Sequence, residues 1–185
     1  SVGWLYEAGQ TTPKNPPIDT DVVIVGAGPV GLFAIFELGM LKIRAHVVDS
    51  LEEVGGQCTA LYPEKPIFDI PAHPRIEGAV LIEKLEAQAA PFKPVYHVNQ
   101  QVTELVVRPD GGFDLTTSKG TQFRCKAVII AAGGGAFGPN RPPLDHLADY
   151  EGKSVFYMVK RREDFRDKRI VIAGGGDSAV DWAVS

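Results

Sequence analysis

Residues 22–49 constrain the fold more than any other stretch of this chain. Val22-Val23-Ile24-Val25 is a short β-branched run that suits a strand buried on both faces. It feeds Gly26-Ala27-Gly28-Pro29-Val30-Gly31, then an apolar segment from Leu32 to Leu41, then Arg44-Ala45-His46-Val47-Val48-Asp49. That order spells strand, glycine turn, helix and second strand. Gly26 permits the tight turn, Gly28 lets backbone approach a pyrophosphate, and Gly31 lets helix and strand pack closely. Pro29 falls at the first helical position, where an amide has no helical partner to lose. The other free amides and the positive end of the helix dipole then face an anion. Asp49 follows Gly31 by eighteen residues, where a carboxylate can accept both hydroxyls of an adenosine ribose. The pattern points to dinucleotide binding. The acid favours a free ribose 2′-hydroxyl, hence FAD or NAD rather than NADP at this first site.

The totals bound the class. A chain of 185 residues, 44% hydrophobic and 23% charged, is an ordinary globular balance, enough for one sizeable domain or one domain plus part of another. A net charge of −4 gives no reason to expect nucleic acid or an anionic membrane as a partner. Cys58 and Cys125 are the two cysteines and stand far apart, so neither a zinc site nor a disulfide framework is expected, and a reducing, cytoplasmic setting fits. There is no run of about 18 apolar residues to span a membrane, and no basic segment followed by an apolar core to act as a secretory signal.

In chain order, residues 1–20 hold Pro13, Pro16 and Pro17 and read as an arm before the first strand. Residues 50–76 carry four prolines and the pair Gly55-Gly56, which argues against regular structure for most of that loop. Long ordered loops are usually functional, and this one is placed to run along an extended cofactor. Residues 78–90 read as an amphipathic helix with Val80, Leu81, Leu85 and Ala89 at helical spacing, stopped by Pro91. A short strand over 95–98 follows. Residues 101–108, 113–117 and 121–124 read as a β-meander with Asp110-Gly111-Gly112 and Ser118-Lys119-Gly120 as turns. Residues 127–133 are a buried strand running into a glycine cluster, and 134–147 form an irregular crossing with Pro139, Pro142 and Pro143.

A second unit begins near Glu151. Residues 154–159 are expected as a strand. The run Lys168-Arg169-Ile170-Val171-Ile172-Ala173-Gly174-Gly175-Gly176-Asp177-Ser178-Ala179 repeats the opening design of strand, turn and helix, with alanine in the last place as an accepted variant of the nucleotide turn. The sequence stops at Ser185, one and a half turns into the helix. A strand, a turn and that much helix cannot make a nucleotide-binding domain, so a longer parent protein is expected; the alternative is a small domain whose last helix caps the sheet.

Two nucleotide turns about 150 residues apart, with the FAD-type turn first, resemble the two-dinucleotide flavoprotein reductases. Within that superfamily the run from Gly55-Gly56-Gln57-Cys58-Thr59 through Tyr62-Pro63-Glu64-Lys65 to Pro71 closely resembles the bacterial thioredoxin-reductase-like ferredoxin/flavodoxin–NADP reductases. So do Ala131-Ala132-Gly133-Gly134-Gly135-Ala136-Phe137-Gly138-Pro139 and the run from Gly174 to Ala183. The missing thiols choose among relatives. Glutathione-reductase-like enzymes carry Cys-x4-Cys after the glycine pair; here Cys58 has Pro63 in the second place. Thioredoxin reductases carry Cys-x-x-Cys before the second turn; those places hold Tyr157 and Lys160. A disulfide relay needs two sulfurs within bonding reach, so electrons must leave a flavin directly. Cys58 is then a packed or cofactor-adjacent thiol.

The resemblance implies a Rossmann-like α/β, three-layer FAD-binding domain with a β-meander over residues 21–150, after an arm over 1–20. The beginning of an NADP(H)-binding domain, cut short, covers 151–185. It implies a FAD-dependent reductase moving electrons between NADPH and ferredoxin or flavodoxin, homodimeric at full length. Gly26, Gly28, Pro29 and Gly31 would surround the FAD pyrophosphate, and Asp49 the adenosine ribose. Gln57 would bond the ribityl or phosphate portion, and Tyr62 would lie against the isoalloxazine. Val102 would touch adenine or serve as a plain strand core residue. Gly133 would end the second FAD-side strand, and Phe137 would pack near the flavin. Gly174, Gly176 and Ala179 would form the NADPH turn. No side chain need act as acid or base in the hydride step. Residues that decide NADPH against NADH are not in the sequence. Seven Lys/Arg against four Asp/Glu over residues 151–169, including Lys160-Arg161-Arg162, offer a docking patch for an acidic partner or an ordinary solvated loop. Other readings are a disulfide-reductase or monooxygenase type of flavoprotein and a non-catalytic flavin-binding fragment.

Overall fold

The computed structural model describes residues 16–61, 63–135, 141–157, 159 and 161–184, with the backbone alone for Arg162, Asp177 and Ser178. In chain order the elements are β1 (Ile18–Asp19), β2 (Val22–Val25), α1 (Pro29–Met40), β3 (Ala45–Val48), α2 (Gln57–Ala60), β4 (Pro66–Ile67), β5 (Ile76–Glu77), α3 (Gly78–Ala89), β6 (Val95–His97), β7 (Val102–Val107), β8 (Phe113–Thr117), β9 (Gln122–Cys125), β10 (Ala127–Ile130) and α4 (Asp177–Val184).

The middle layer is a parallel sheet in the order β10-β2-β3-β6. Its register aligns Val22 with Ala45 and Ala127, and Val48 with Val25 and His97. Side chains alternate across a strand, so β2 feeds two cores at once. Val22 and Ile24 join Leu32 and Ile35 of α1, Val47, and Ile82 and Ala89 of α3 on one side. Val23 joins Val48, Leu115, Phe123 and Cys125 on the other. The second outer layer is a sheet in the order β1-β9-β8-β7, antiparallel through the meander and parallel where Ile18 meets Phe123. Three layers result: helices, parallel sheet, meander. Fully burying a side chain such as Phe123 contributes about 2–3 kcal/mol.

The helices meet where α1 ends. Phe92 sets its ring edge-on to Phe36 at 5.9 Å and covers Gly39, where any Cβ would overlap the ring. Pro91 lies in a 3-10 turn (Ala90–Phe92) that ends α3, and Lys93 reverses the chain at φ 50°. Leu81 and Ala89 face the core as the spacing predicts. Val80 does not: it is exposed, and Ile82 takes its place in the core.

Three expectations are corrected. The arm is not wholly outside the fold, because its residues 18–19 form β1, held by Ile18 packing on the second core; residues 1–15 lie outside the described part. The loop at 50–76 is irregular for most of its length, as expected, with only the short α2 and the β4–β5 pair set into it. Residues 154–159 form no strand among the described residues; a single bridge joins Glu151 to Val155. Residues 168–173 form none either, and Val171 is 94% exposed. A strand needs a neighbour to take its amides and carbonyls, and no described segment lies alongside.

Candidate dinucleotide site

The site sits at the carboxyl ends of β2 and β3, where open parallel sheets hold ligands. Gly26 leaves β2 at φ 108°, its amide donating to Val48 O at 2.8 Å, and a Cβ there would run into Ala131 O. A Cβ on Gly31 would run into Gly26 O, so the helix can pack this close only on glycine. Pro29 opens α1, and Leu32 N–H makes the first helical bond to Gly28 O at 2.9 Å. The leading amides of a helix have no carbonyl within the helix to receive them, and they gather at this end.

Directly opposite lies the second glycine pair. Gly55 N–H donates to Ala27 O at 2.8 Å. Gly56, at φ 58°, brings its backbone so near that its Cβ would be 3.2 Å from Gly28 Cα. Two side-chain-free backbones therefore face each other across the turn. That is a side-chain-free edge beside the helix N-terminus, suited to a compact anionic linker such as a pyrophosphate, and a Cβ at Gly56 would crowd it. The Gly55-Gly56 pair is evident in the sequence as a break in regular structure. Its contact with Gly28 is not, because nothing local connects positions 28 residues apart.

Asp49 is 8% exposed and works harder than the ribose role requires. Its Oδ2 accepts Ala27 N–H at 2.6 Å and its Oδ1 accepts Leu51 N–H at 2.8 Å. It thus ties the glycine turn to the end of β3. A carboxylate has about four lone-pair sites, so two stay free for ribose hydroxyls. The residues fit a dinucleotide: backbone amides and glycine surfaces at the phosphates, one buried acid at the sugar.

Gln57 is the first residue of α2 and reaches toward the segment after β10, its Nε2 3.4 Å from where a Gly134 Cβ would stand. With Cys58, Lys65, Ile67, Phe68 and Asp69 it lines a cleft of about 470 Å³. Burial pushes the Cys58 thiol above its ordinary pKa, which keeps it protonated and poorly nucleophilic. Cys58 and Cys125 are both free. Tyr157, in one of the two thioredoxin-reductase cysteine places, donates its hydroxyl to Glu151 at 2.7 Å. Thr59 Oγ1, against Gly55, is buried without a partner among the described residues. Gly133 turns the chain beyond β10 at φ 55° into open space. Val102 begins β7 and packs on the core with Val48 and Phe123. Tyr62 and Phe137 lie outside the described residues.

The second turn is built differently. Gly174 has φ 148°, and Gly176 O accepts Ala179 N–H at 2.9 Å as α4 begins. A Cβ at Gly174 would make only an ordinary contact with Ala179, at 3.6 Å, and Gly176 has nothing near. Gly174, Gly176 and Ala179 therefore meet one another, and among the described residues no opposing backbone comes within 4 Å of a Cβ built at either glycine.

Residues 20–185 match the family described as pyridine nucleotide-disulphide oxidoreductases. The chain belongs to that family. Two relatives, both named ferredoxin–NADP reductase, come from Paramagnetospirillum magneticum and Rickettsia akari, at 64% and 62% identity over 167 residues. Those matches cover 90% of this chain and 50% of each relative, so the chain spans about half the length of the curated relatives it matches. Among solved structures, the thioredoxin reductase of T. acidophilum is 26% identical with a TM-score of 0.55, over 74% of this chain and 41% of that one. The family's name refers to disulfide chemistry, yet this member shows no cysteine pair: the Cys58 partner position is Pro63.

Sequence reasoning passed over one feature of the layer interface. His46 Nδ1 and His97 Nε2 are 2.9 Å apart, the rings stack, and both meet Phe123 edge-on. Burial lowers both pKa values, with Arg44 adding to the effect at His46, and His46 adding to it at His97. Each histidine lies alone in its strand, so no local signal announces the pair.

Proposed function

We propose that this chain is the FAD-binding part, with the start of the NADP(H)-binding part, of a reductase that moves electrons between NADPH and ferredoxin or flavodoxin. The observation that carries the reading is the cradle of Gly28, Gly56 and Asp49 beside a cleft whose one cysteine has no second sulfur to pair with. The names of the relatives supply the partner class. FAD supplies the exchange between two-electron hydride chemistry and one-electron transfer. The protein's own residues bind and orient. Residues 26–31 hold the pyrophosphate, Asp49 the adenosine ribose, and Gln57 the ribityl–phosphate stretch. Tyr62, Val102, Gly133 and Phe137 complete the flavin and adenine surroundings, and Gly174, Gly176 and Ala179 receive NADPH.

The domain plan follows: arm over 1–20, FAD-binding part over 21–150, nicotinamide-nucleotide part from 151. The intact enzyme is a cytoplasmic homodimer, in accord with two free cysteines. Among the described residues no helix is long and apolar enough to cross a membrane. The docking patch centres on Arg161, exposed and held by Asp164 at 2.6 Å.

The test is an anaerobic titration of the intact protein with NADPH, followed by flavin absorbance, then mixing with ferredoxin, flavodoxin or thioredoxin. Bleaching followed by reoxidation with ferredoxin or flavodoxin is expected. Turnover with thioredoxin instead overturns the reading. Reversing Arg161 to Glu should slow ferredoxin reduction at low salt and leave NADPH bleaching unchanged.

A further inference from the structure

The segment that follows β6 clasps the ribose acid from both sides. Asp49 N–H donates to His97 O at 3.0 Å, Gln100 N–H donates to Asp49 O at 2.9 Å, and Asn99, at φ 54°, donates to Leu51 O at 2.6 Å. The clasp is tied to the β8–β9 hairpin twice: Gln101 N–H donates to Ser118 Oγ at 3.0 Å and Gln101 O accepts Ser118 N–H at 2.7 Å, and the Gln100 side chain adds a second tie. Gln100 Oε1 accepts the hydroxyls of Thr117 and Thr121, each at 2.8 Å. Thr117 is 3% exposed, and its oxygen already accepts Thr121 N–H at 3.1 Å. With the amide oxygen toward the threonines, both hydroxyl protons have an acceptor in Gln100. Both lone pairs of that oxygen are used. The threonines stand at the tip of the β8–β9 hairpin, where Thr117 N–H and Thr121 O also pair at 2.9 Å. A continuous path runs from the meander hairpin through Gln100 to Asp49 and on to Ala27 of the glycine turn.

We propose that Gln100 is a positioning residue for the adenosine half of the dinucleotide: it fixes the backbone of Asp49 against the hairpin and so aims the carboxylate at the ribose. Gln100 acts through Asp49 and is not itself a cofactor contact. This rests on the FAD reading above. It adds a task for the β8–β9 hairpin beyond covering the sheet. The consequence is selective. Loosening Gln100 disturbs the end of the site that FAD has and FMN lacks.

The experiment measures FAD and FMN dissociation constants by flavin fluorescence on the intact protein, for the unaltered form, Gln100→Leu and Thr121→Val. Gln100→Leu keeps the size and removes the acceptor. Thr121→Val removes one donor from a half-buried position and preserves the test if the first variant folds poorly. The expected result is about tenfold weaker FAD binding in Gln100→Leu, the scale of one or two lost hydrogen bonds, with FMN affinity within about twofold. Thr121→Val moves FAD affinity in the same direction by less, and the double variant loses less than the product of the two. Equal weakening of FAD and FMN reduces Gln100 to a stabilising residue and overturns the proposal. So does unchanged FAD affinity in both variants. If the unaltered protein fails to bind FAD, the cofactor reading falls first and this proposal falls with it.

Discussion

Residues 22–25 and 170–173 are both short apolar runs that feed a glycine turn, and they differ in what lies beside them. The first has β3 and β10 hydrogen-bonded on either side, a helical layer on one face and a meander on the other. The second has no paired strand among the described residues, and Ile170 and Val171 are exposed. Their turns differ in the same way. A Cβ at Gly26 or Gly31 would meet backbone, whereas Gly175 and Gly176 have nothing within 4 Å. A glycine motif states what conformations are allowed. The neighbours decide whether those conformations become a site.

Substitution at the two turns is the sharpest way to break this comparison. Gly31→Val forces a side chain into Gly26 O, and backbone cannot yield as a side chain can. It should destabilise the chain by about 3 kcal/mol or more and abolish FAD binding. Gly176→Ala should change stability by less than about 0.5 kcal/mol. Urea unfolding of both measures the contrast; equal effects would mean the second turn is as tightly built as the first.

Asp49→Ala comes next. It removes the acceptor of two backbone amides, one in the turn and one after β3, and should cost about 2 kcal/mol together with FAD affinity. Denaturant unfolding and a flavin titration read the two losses separately.

The histidine pair gives the first unit a pH sensitivity just below neutrality. The unfolded chain takes up these two protons near pH 6.5. The folded pair, with both pKa values lowered, resists. The unfolded state then binds more protons, so stability falls as pH drops below about 6.5 and levels off once the folded pair itself protonates. His97→Phe should flatten that limb of the stability–pH curve; an unchanged slope would assign it to other groups. Asp21 acts in a lower window. The Lys126 hydrogen bond and the Arg44 amide draw its carboxyl from 3.8 to about 2, so its contribution is lost as pH falls from about 4 toward 2.

The smallest effect belongs to the contact between the two units. Lys65 Nζ and Asp181 Oδ2 are 2.9 Å apart with side chains 51% and 55% exposed. Asp181→Asn should shift unfolding by under about 0.5 kcal/mol and lose even that in salt. A larger effect would make the second unit better anchored than its exposed strand segment implies.

Much of the first half was legible. The β-branched run, the glycine spacing, Pro29 and the later acid are local signals with local causes, and the meander's turns announce themselves through Asp110-Gly111-Gly112 and Ser118-Lys119-Gly120. Among the described residues, 154–159 and 168–173 form no strand, because apolar composition records a preference for burial and cannot provide the partner that burial requires. Val80 was placed in the core by spacing alone. The true stripe is rotated to Ile82, since the direction a helix faces is set by the sheet beneath it.

The sequence by itself determined the order of elements, the tight first turn and the absence of a cysteine pair, for these depend on residue identity at fixed spacing. Only the tertiary structure decided that Gly56 closes over Gly28, that Asp49 ties the glycine turn to the end of β3, and that His46 meets His97. It also decided that Gln100 reaches Thr117 and Thr121. Each of these joins positions distant along the chain, and their meeting follows from sheet register and layer packing, which no single segment encodes.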